Sequence, residues 1–172
     1  MKEPFVAFET ERLVVRRLRR DDLDDFARLC GDPEIIRYMD NGEPLSRERT
    51  ASWIEITLEN YEIRGWGTFG VTMKSSDRLI GFAGYARPSD RPGVVEIIYA
   101  FEPEQWGNGY ATEVARGLID YGFGACKMER IEATVDPANA ASRRVLEKIG
   151  MRYDERFESG DGELTDFFSI ET

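Results

Sequence analysis

EQWGNGYATEV, residues 104–114, places two glycines one residue apart at the entrance of a helix-spaced run. From Ala111 the apolar positions are Ala111, Val114, Ala115, Leu118, Ile119 and Gly122, the spacing of one helix face. No Ser, Asp or Thr is clearly placed as its cap. Upstream, Val94 to Phe101 is the most strand-like run of the chain and is apolar except for Glu96. A strand, a loop and a helix N-terminus together make an anion site. The first N–H groups of a helix lack intrahelical partners, and the helix dipole adds positive potential there. Gly107 and Gly109 allow positive φ and close backbone approach, so the loop suits a pyrophosphate; it equally suits a plain turn.

Two phosphate loops are tested by spacing. GxxxxGK[ST] is absent, which excludes a P-loop. A dinucleotide fingerprint needs Gly or Ala where Thr112 stands, and a tight turn where the connector Glu102–Trp106 intervenes. A nucleotide-dependent oxidoreductase therefore fits poorly.

Outward from this stretch, RLVVRRL at 12–18 reads as a first strand. Its basic cluster is neutralised by Asp21, Asp22, Asp24 and Asp25, which open a helix carrying Leu23, Phe26, Ala27, Leu29 and Cys30. Gly31–Asp32–Pro33 breaks it, and a helical turn follows at Ile35, Ile36 and Met39. Ser46 caps a helix to about Ile63 with Trp53, Ile56, Thr57 and Tyr61 inward. Strands at 68–74, 79–86 and 94–101 are joined by short turns, an antiparallel meander. A strand at 130–135 precedes a helix that Asp136–Pro137 would start and Gly150 would end. Strands at 151–158 and 164–170 flank a Gly160–Asp161–Gly162 turn. The expectation is one α/β (α+β) domain over residues 1–172, with a mixed, mostly antiparallel sheet of six to seven strands and helices on both faces.

The 172 residues, 41% apolar and 33% charged, are ordinary for a soluble globular chain. There is no histidine, which excludes a His triad, His metal site or His base. A formal charge of −10 argues against nucleic acid; it suits a cationic acceptor such as an amine, or serves solubility. No apolar run approaches the roughly 20 residues that span a bilayer, so no membrane partner is expected. MKEPFVAFETERL lacks the apolar core of a signal peptide. Cys30 and Cys126 are outside any CxxC pair and read as free thiols in a reducing cytoplasm.

ETERLVVRRLRRDDLDDFARLCGDPEIIRYM (9–39), GWGTFGV, RLIGFAGY, VVEIIYAFEPEQWGNGYATEVARGLIDYGF (94–123) and DPANAASRRVLEKIGM (136–151), in this order, resemble a GNAT-family N-acetyltransferase of the RimJ/RimL-like branch. The resemblance covers nearly the whole chain. It implies a GNAT-like sheet and acetyl-CoA as co-substrate, with no metal. Backbone N–H groups of Trp106, Gly107, Asn108, Gly109, Tyr110 and Ala111 would hold the CoA pyrophosphate. Trp106 stands where the family usually has Gln or Arg. Ala100 and Phe101 would offer backbone to the pantetheine amides as in strand addition. Asn139 resembles the family's pantetheine-contacting Asn, and Arg143 or Arg144 would reach the 3′-phosphate, Arg144 being the choice.

Acetyl transfer requires an amine to lose a proton, a thioester carbonyl to be polarised and a thiolate to leave. Glu96, a carboxylate in a half-buried strand, suits a general base, and the resemblance places a water-assisted Glu there; the alternative is a Glu paired with an Arg. The family's usual Tyr acid falls on Leu146 here. Relatives use the Ser of N-x-x-S, which is Ser142; it either hydrogen-bonds the sulfur or is simply a small helix residue. Tyr99, Tyr110 and Tyr85 are weaker acids to consider, and Asp161, Glu163 and Asp166 are fallback carboxylates. The expected function is acetyl transfer to a primary amine, a protein N-terminus or small molecule, by direct attack in a ternary complex. The alternative is a non-catalytic acyl-CoA-binding protein on the same fold. The acceptor is expected to meet residues 46–63 and the terminal hairpin; the acidic Glu43, Glu48, Glu55, Glu59 and Glu62 either favour a cation or are simply solvated. Hydrophobic late strands suggest a homodimer.

Overall fold

The computed structural model describes residues 5–160 and 162–172. Eight strands form one sheet in the order β1-β2-β3-β4-β5-β6-β8-β7. They are β1 (Val6–Glu9), β2 (Leu13–Arg17), β3 (Thr68–Met73), β4 (Leu79–Ala86), β5 (Glu96–Phe101), β6 (Arg130–Val135), β7 (Arg152–Glu158) and β8 (Leu164–Glu171). The helices are α1 (Leu23–Cys30), α2 (Pro33–Ile36), α3 (Arg47–Arg64), α4 (Tyr110–Gly124) and α5 (Ala140–Lys148). The seven strands read from the sequence are present. β1 is the eighth, a short strand held by hairpin pairing to β2 and by Phe8 packed on the distant Tyr121, a contact that a local pattern does not reveal.

The meander β2-β3-β4-β5 is antiparallel throughout. β5 and β6 are parallel and meet at a single pair, Glu96 with Glu132. Beyond it they diverge. β6, β8 and β7 are antiparallel again. β7 is an outer strand, exposed along its whole length, with a register shift between Tyr153 and Glu155.

Each face of the sheet carries its own core. On one, α4 buries Val114, Ala115 and Leu118 against Leu13, Val15, Phe69 and Ile131. Fully burying one such Val or Leu contributes about 2 kcal/mol. On the other, Phe26, Leu29 and Cys30 of α1 pack with Ile54 of α3 and Leu79 and Phe82 of β4. One inward stripe differs from expectation. α3 buries Thr50, Ile54, Thr57 and Tyr61 and leaves Ile56 exposed, because it packs against both α1 and the sheet. The Tyr61 hydroxyl accepts from Leu18 N–H (3.0 Å) and donates to the Thr68 carbonyl, tying α3 to β2 and β3.

Helix boundaries follow their caps. Ser46 accepts from Arg49 N–H at 3.2 Å, and Gly65 ends α3 in the left-handed conformation (φ 80). Asp32, read as a breaker, is also the cap of α2, accepting from Glu34 N–H at 2.9 Å. Asp136 does not cap α5: it accepts from Ala138 N–H in a turn, and Asn139 takes the cap by accepting from Ser142 N–H at 3.1 Å. The basic cluster is taken up by ion pairs, of which only that of Arg16 with Asp22 is buried. Arg16, 1% exposed, forks onto Asp22, while Arg19 reaches Asp77 and Arg20 reaches Glu55.

Candidate active site

The divergence of β5 from β6 opens a cleft of about 530 Å³. All six β5 residues line it, together with Ala133–Asp136 on β6 and its connection, Asn139, Ser142 and Leu146 at α5, and Trp106 and Ala111 at the glycine loop. Alternation orients the backbone. Glu132 N–H donates to Val95 O at 2.9 Å, and Glu102 N–H donates to Ile80 O at 3.0 Å on the opposite side. Odd-numbered residues therefore turn their amides toward the gap, so Tyr99 and Phe101, rather than Ala100, present backbone there. One of those groups is already engaged: the Phe101 carbonyl accepts from the Trp106 indole N–H at 2.8 Å.

At one end of β5 lies the glycine loop. Gly107 and Gly109 have φ of 77 and 81, the left-handed region. Gly109 is the N-cap of α4 and brings no side-chain cap. The first N–H groups of a long helix thus face outward without a cap acceptor. A Cβ at Gly107 would meet nothing within 4 Å, so backbone conformation demands the glycine and open space surrounds it. That is a cradle that fits a pyrophosphate.

Arg12 braces this loop, a residue the spacing did not single out. Its guanidinium donates to the Asn108 carbonyl (2.9 Å), pairs with Glu113 (2.7 Å) and lies over the Tyr110 ring at 4.4 Å. Burial opposes the charge on Glu113, yet hydrogen bonds from Thr10 and Arg12 hold its carboxyl below the ordinary value. Nothing local marks Arg12, because its partners lie about a hundred residues away on α4 and the loop.

Glu96 stands at the other end, 9% exposed. It is paired with Arg91, which also holds Glu132 at 2.7 Å. The picture of an unpaired strand carboxylate is thereby replaced by a clamped one. The two glutamates face each other on the bridging pair of β5 and β6, and Arg91 offsets their like charge.

Midway, the Tyr99 and Ser142 hydroxyls are 2.8 Å apart. Burial pushes the Tyr99 phenol up to about 12. Leu146 is buried and brings no proton. Asn139 is brought to the same wall, with its Oδ1 used as the α5 cap. Arg143 is taken up by Glu147 and Asp166, both at 3.0 Å. Arg144 is exposed on α5 and has no ion pair among the described residues.

The other candidates lie elsewhere. Tyr85 donates to the Leu118 carbonyl inside the core. Tyr110 is covered by Arg12. Asp166 is buried beneath Arg156 and Arg143, and the hydrogen bond from Arg156 holds it below the ordinary carboxylate value. Glu163 is exposed, and Asp161 lies outside the described residues. Burial pushes the Cys30 thiol up to about 12, and raises Cys126 as well. The outer wall of the cleft comes from Glu34, Arg37, Tyr38 and Asp40 after α1; among the described residues none of 46–63 or the terminal hairpin lines it.

Residues 12–152 match the family model described as an acetyltransferase (GNAT) domain. The chain belongs to the GNAT acetyltransferase family. This GNAT chain is 31% identical over 163 residues to the uncharacterized N-acetyltransferase p20 of Bacillus licheniformis, covering 92% of this chain and 91% of that one. The crystal structure of a GNAT-family acetyltransferase from Bacillus anthracis superimposes with a TM-score of 0.81 at 28% identity, over 97% of this chain and 98% of that one. RimL, the ribosomal L7/L12 α-N-protein acetyltransferase solved in complex with coenzyme A, shares the fold with a TM-score of 0.82 at 12% identity, over 96% and 97%. GNAT acetyltransferases use acetyl-CoA, and membership indicates an acyl-CoA-dependent acetyltransferase. Among the described residues no helix is long and apolar enough to cross a membrane, and no group of three or more acidic residues or cysteines could hold a metal ion.

Proposed function

We propose that this GNAT chain is a cytoplasmic enzyme of the RimJ/RimL-like branch that moves the acetyl group of acetyl-CoA to a primary amine, on a peptide N-terminus or a small molecule. The observation that carries this reading is the cleft between β5 and β6, which runs from the glycine cradle to a buried carboxylate. The pyrophosphate rests on the backbone of Trp106–Ala111, and Arg144 meets the 3′-phosphate. The pantetheine arm lies along the open side of β5 beside Asn139. The amine enters past Glu34, Arg37, Tyr38 and Asp40, where the carboxylates of Glu34 and Asp40 attract its cation and Arg37 offsets part of that pull.

Acetyl-CoA supplies an activated carbonyl, and the residues supply positions and protons. Amine nitrogen attacks the thioester carbon and forms the C–N bond. Its proton passes to Glu96, directly or through water. The C–S bond breaks, and the thiolate leaves beside Ser142. A thiol of pKa near 8.5 departs with little help, so a hydrogen-bond donor suffices where Leu146 replaces an acid.

The clamped Glu96 and the apolar Leu146 favour one second reading, acyl-CoA binding without transfer. Calorimetric titration with acetyl-CoA, beside NADH and ATP, followed by an amine panel, separates the readings. Selective acetyl-CoA binding with acetylated amine supports transfer; binding without product supports the second reading. Absence of acetyl-CoA binding defeats both.

A further inference from the structure

We propose that Tyr99 is a positioning residue that aims the Ser142 hydroxyl at the sulfur of the bound thioester. The inference rests on the function proposed above and concerns how the chain manages without an acid at position 146. Ser142 lies in the first turn of α5, and its amide is fixed by the Asn139 cap at 3.1 Å. Its hydroxyl has one proton and two lone pairs. Tyr99, on the facing strand, holds that oxygen at 2.8 Å. The phenol is the more acidic of the two hydroxyls, so it donates and Ser142 accepts. Ser142 then keeps its own proton for a third partner, and a donor chain of this kind polarises its last member.

The place of that third partner follows from β5. Phe101 adjoins the glycine loop, and Glu96 lies at the opposite end. Tyr99 is three residues from Glu96, about 10 Å along the strand. Tyr99 and Ser142 both line the cleft between the phosphate cradle and the base. Burial of the phenol keeps it protonated, hence a donor, across the neutral range. During transfer the C–S electron pair moves onto sulfur. The Ser142 O–H donates to that thiolate, and Tyr99 keeps its own proton throughout.

The test titrates CoA bound to the whole protein, following thiolate absorbance in the ultraviolet against pH. Wild-type protein is expected to lower the thiol pKa of bound CoA relative to free CoA. Tyr99→Phe and Ser142→Ala are each expected to move it back up by about half a unit to one unit, the equivalent of one net hydrogen bond. The double variant is expected to move it no further, because both act through one donor. Ser142→Ala shifting the titration while Tyr99→Phe leaves it unchanged overturns the positioning role. A wild-type thiol that titrates like free CoA overturns the inference while leaving the cofactor reading intact. Failure of CoA to bind the wild-type protein overturns the proposed function and this inference together. Ring packing is retained in Tyr99→Phe, and thermal melting confirms that each variant is folded.

Discussion

The two ends of the cleft are built from different materials. The cradle end is backbone: two left-handed glycines and an uncapped helix terminus. The Glu96 end is side chain: one arginine held between two glutamates from adjacent strands. The glycine pair marks the cradle in the local sequence, with Arg12 bracing it from a distance, whereas the charge clamp exists only once a loop and two strands are brought together by the whole fold. Changes at the first end should therefore alter one ligand's affinity, and changes at the second should reach into stability and chemistry at once.

Substitutions at each end probe that division. Arg91→Met leaves Glu96 without its arginine beside Glu132, which keeps its pair with Arg130, and is expected to cost about 3 kcal/mol of unfolding free energy, seen in denaturant melts. An unchanged melting curve would show that the clamp does not hold the sheet at its one β5–β6 pair. Glu96→Gln keeps the shape and is expected to lower kcat about a hundredfold on any amine accepted, with acetyl-CoA affinity retained. Equal losses in kcat and affinity would erase the distinction between the ends. Gly109→Val forces a β-branched residue into positive φ and is expected to weaken acetyl-CoA binding by at least tenfold in calorimetry, with the fold intact. Trp106→Phe frees the Phe101 carbonyl and is expected to change binding less, by about 1 kcal/mol.

A control away from the cleft is Arg156→Met. Arg156 holds Asp166 below its ordinary value, so the pair contributes stability above the unfolded carboxylate pKa and loses it as pH falls through the lowered folded one. The variant is expected to be less stable than wild type at neutral pH. The gap should narrow on acidification below about pH 4, as read from melts across pH.

The same division explains what the sequence made legible. Strand β6 follows from period-two alternation, β4 from an unbroken apolar run between turns and the body of α4 from helical spacing, and the glycine pair announces its loop by residue type alone. Glu96 was visible as a charge in an apolar run, but its partner was not, since Arg91 sits in a turn with no periodicity. Arg12, Tyr99 with Ser142, and the wall at Glu34–Asp40 are juxtapositions made by tertiary packing. Asp136–Pro137 misled because Asp and Asn both cap helices; the chain makes a turn on Asp136 first and starts α5 three residues later. The stripe of α3 misled at Ile56 because that helix packs on two neighbours and carries apolar residues around its circumference.

The outer strand β7 has its own consequence. An open row of amides and carbonyls is a template on which other chains can aggregate. Here the row is interrupted by the shift between Tyr153 and Glu155 and dressed with Arg152, Asp154, Glu155, Arg156 and Glu158. A kink and alternating charges make a poor seed for strand addition. The sheet therefore ends at β7 rather than growing from one molecule to the next, and concentrated solutions of the protein should resist fibril formation even with Phe157 in the open.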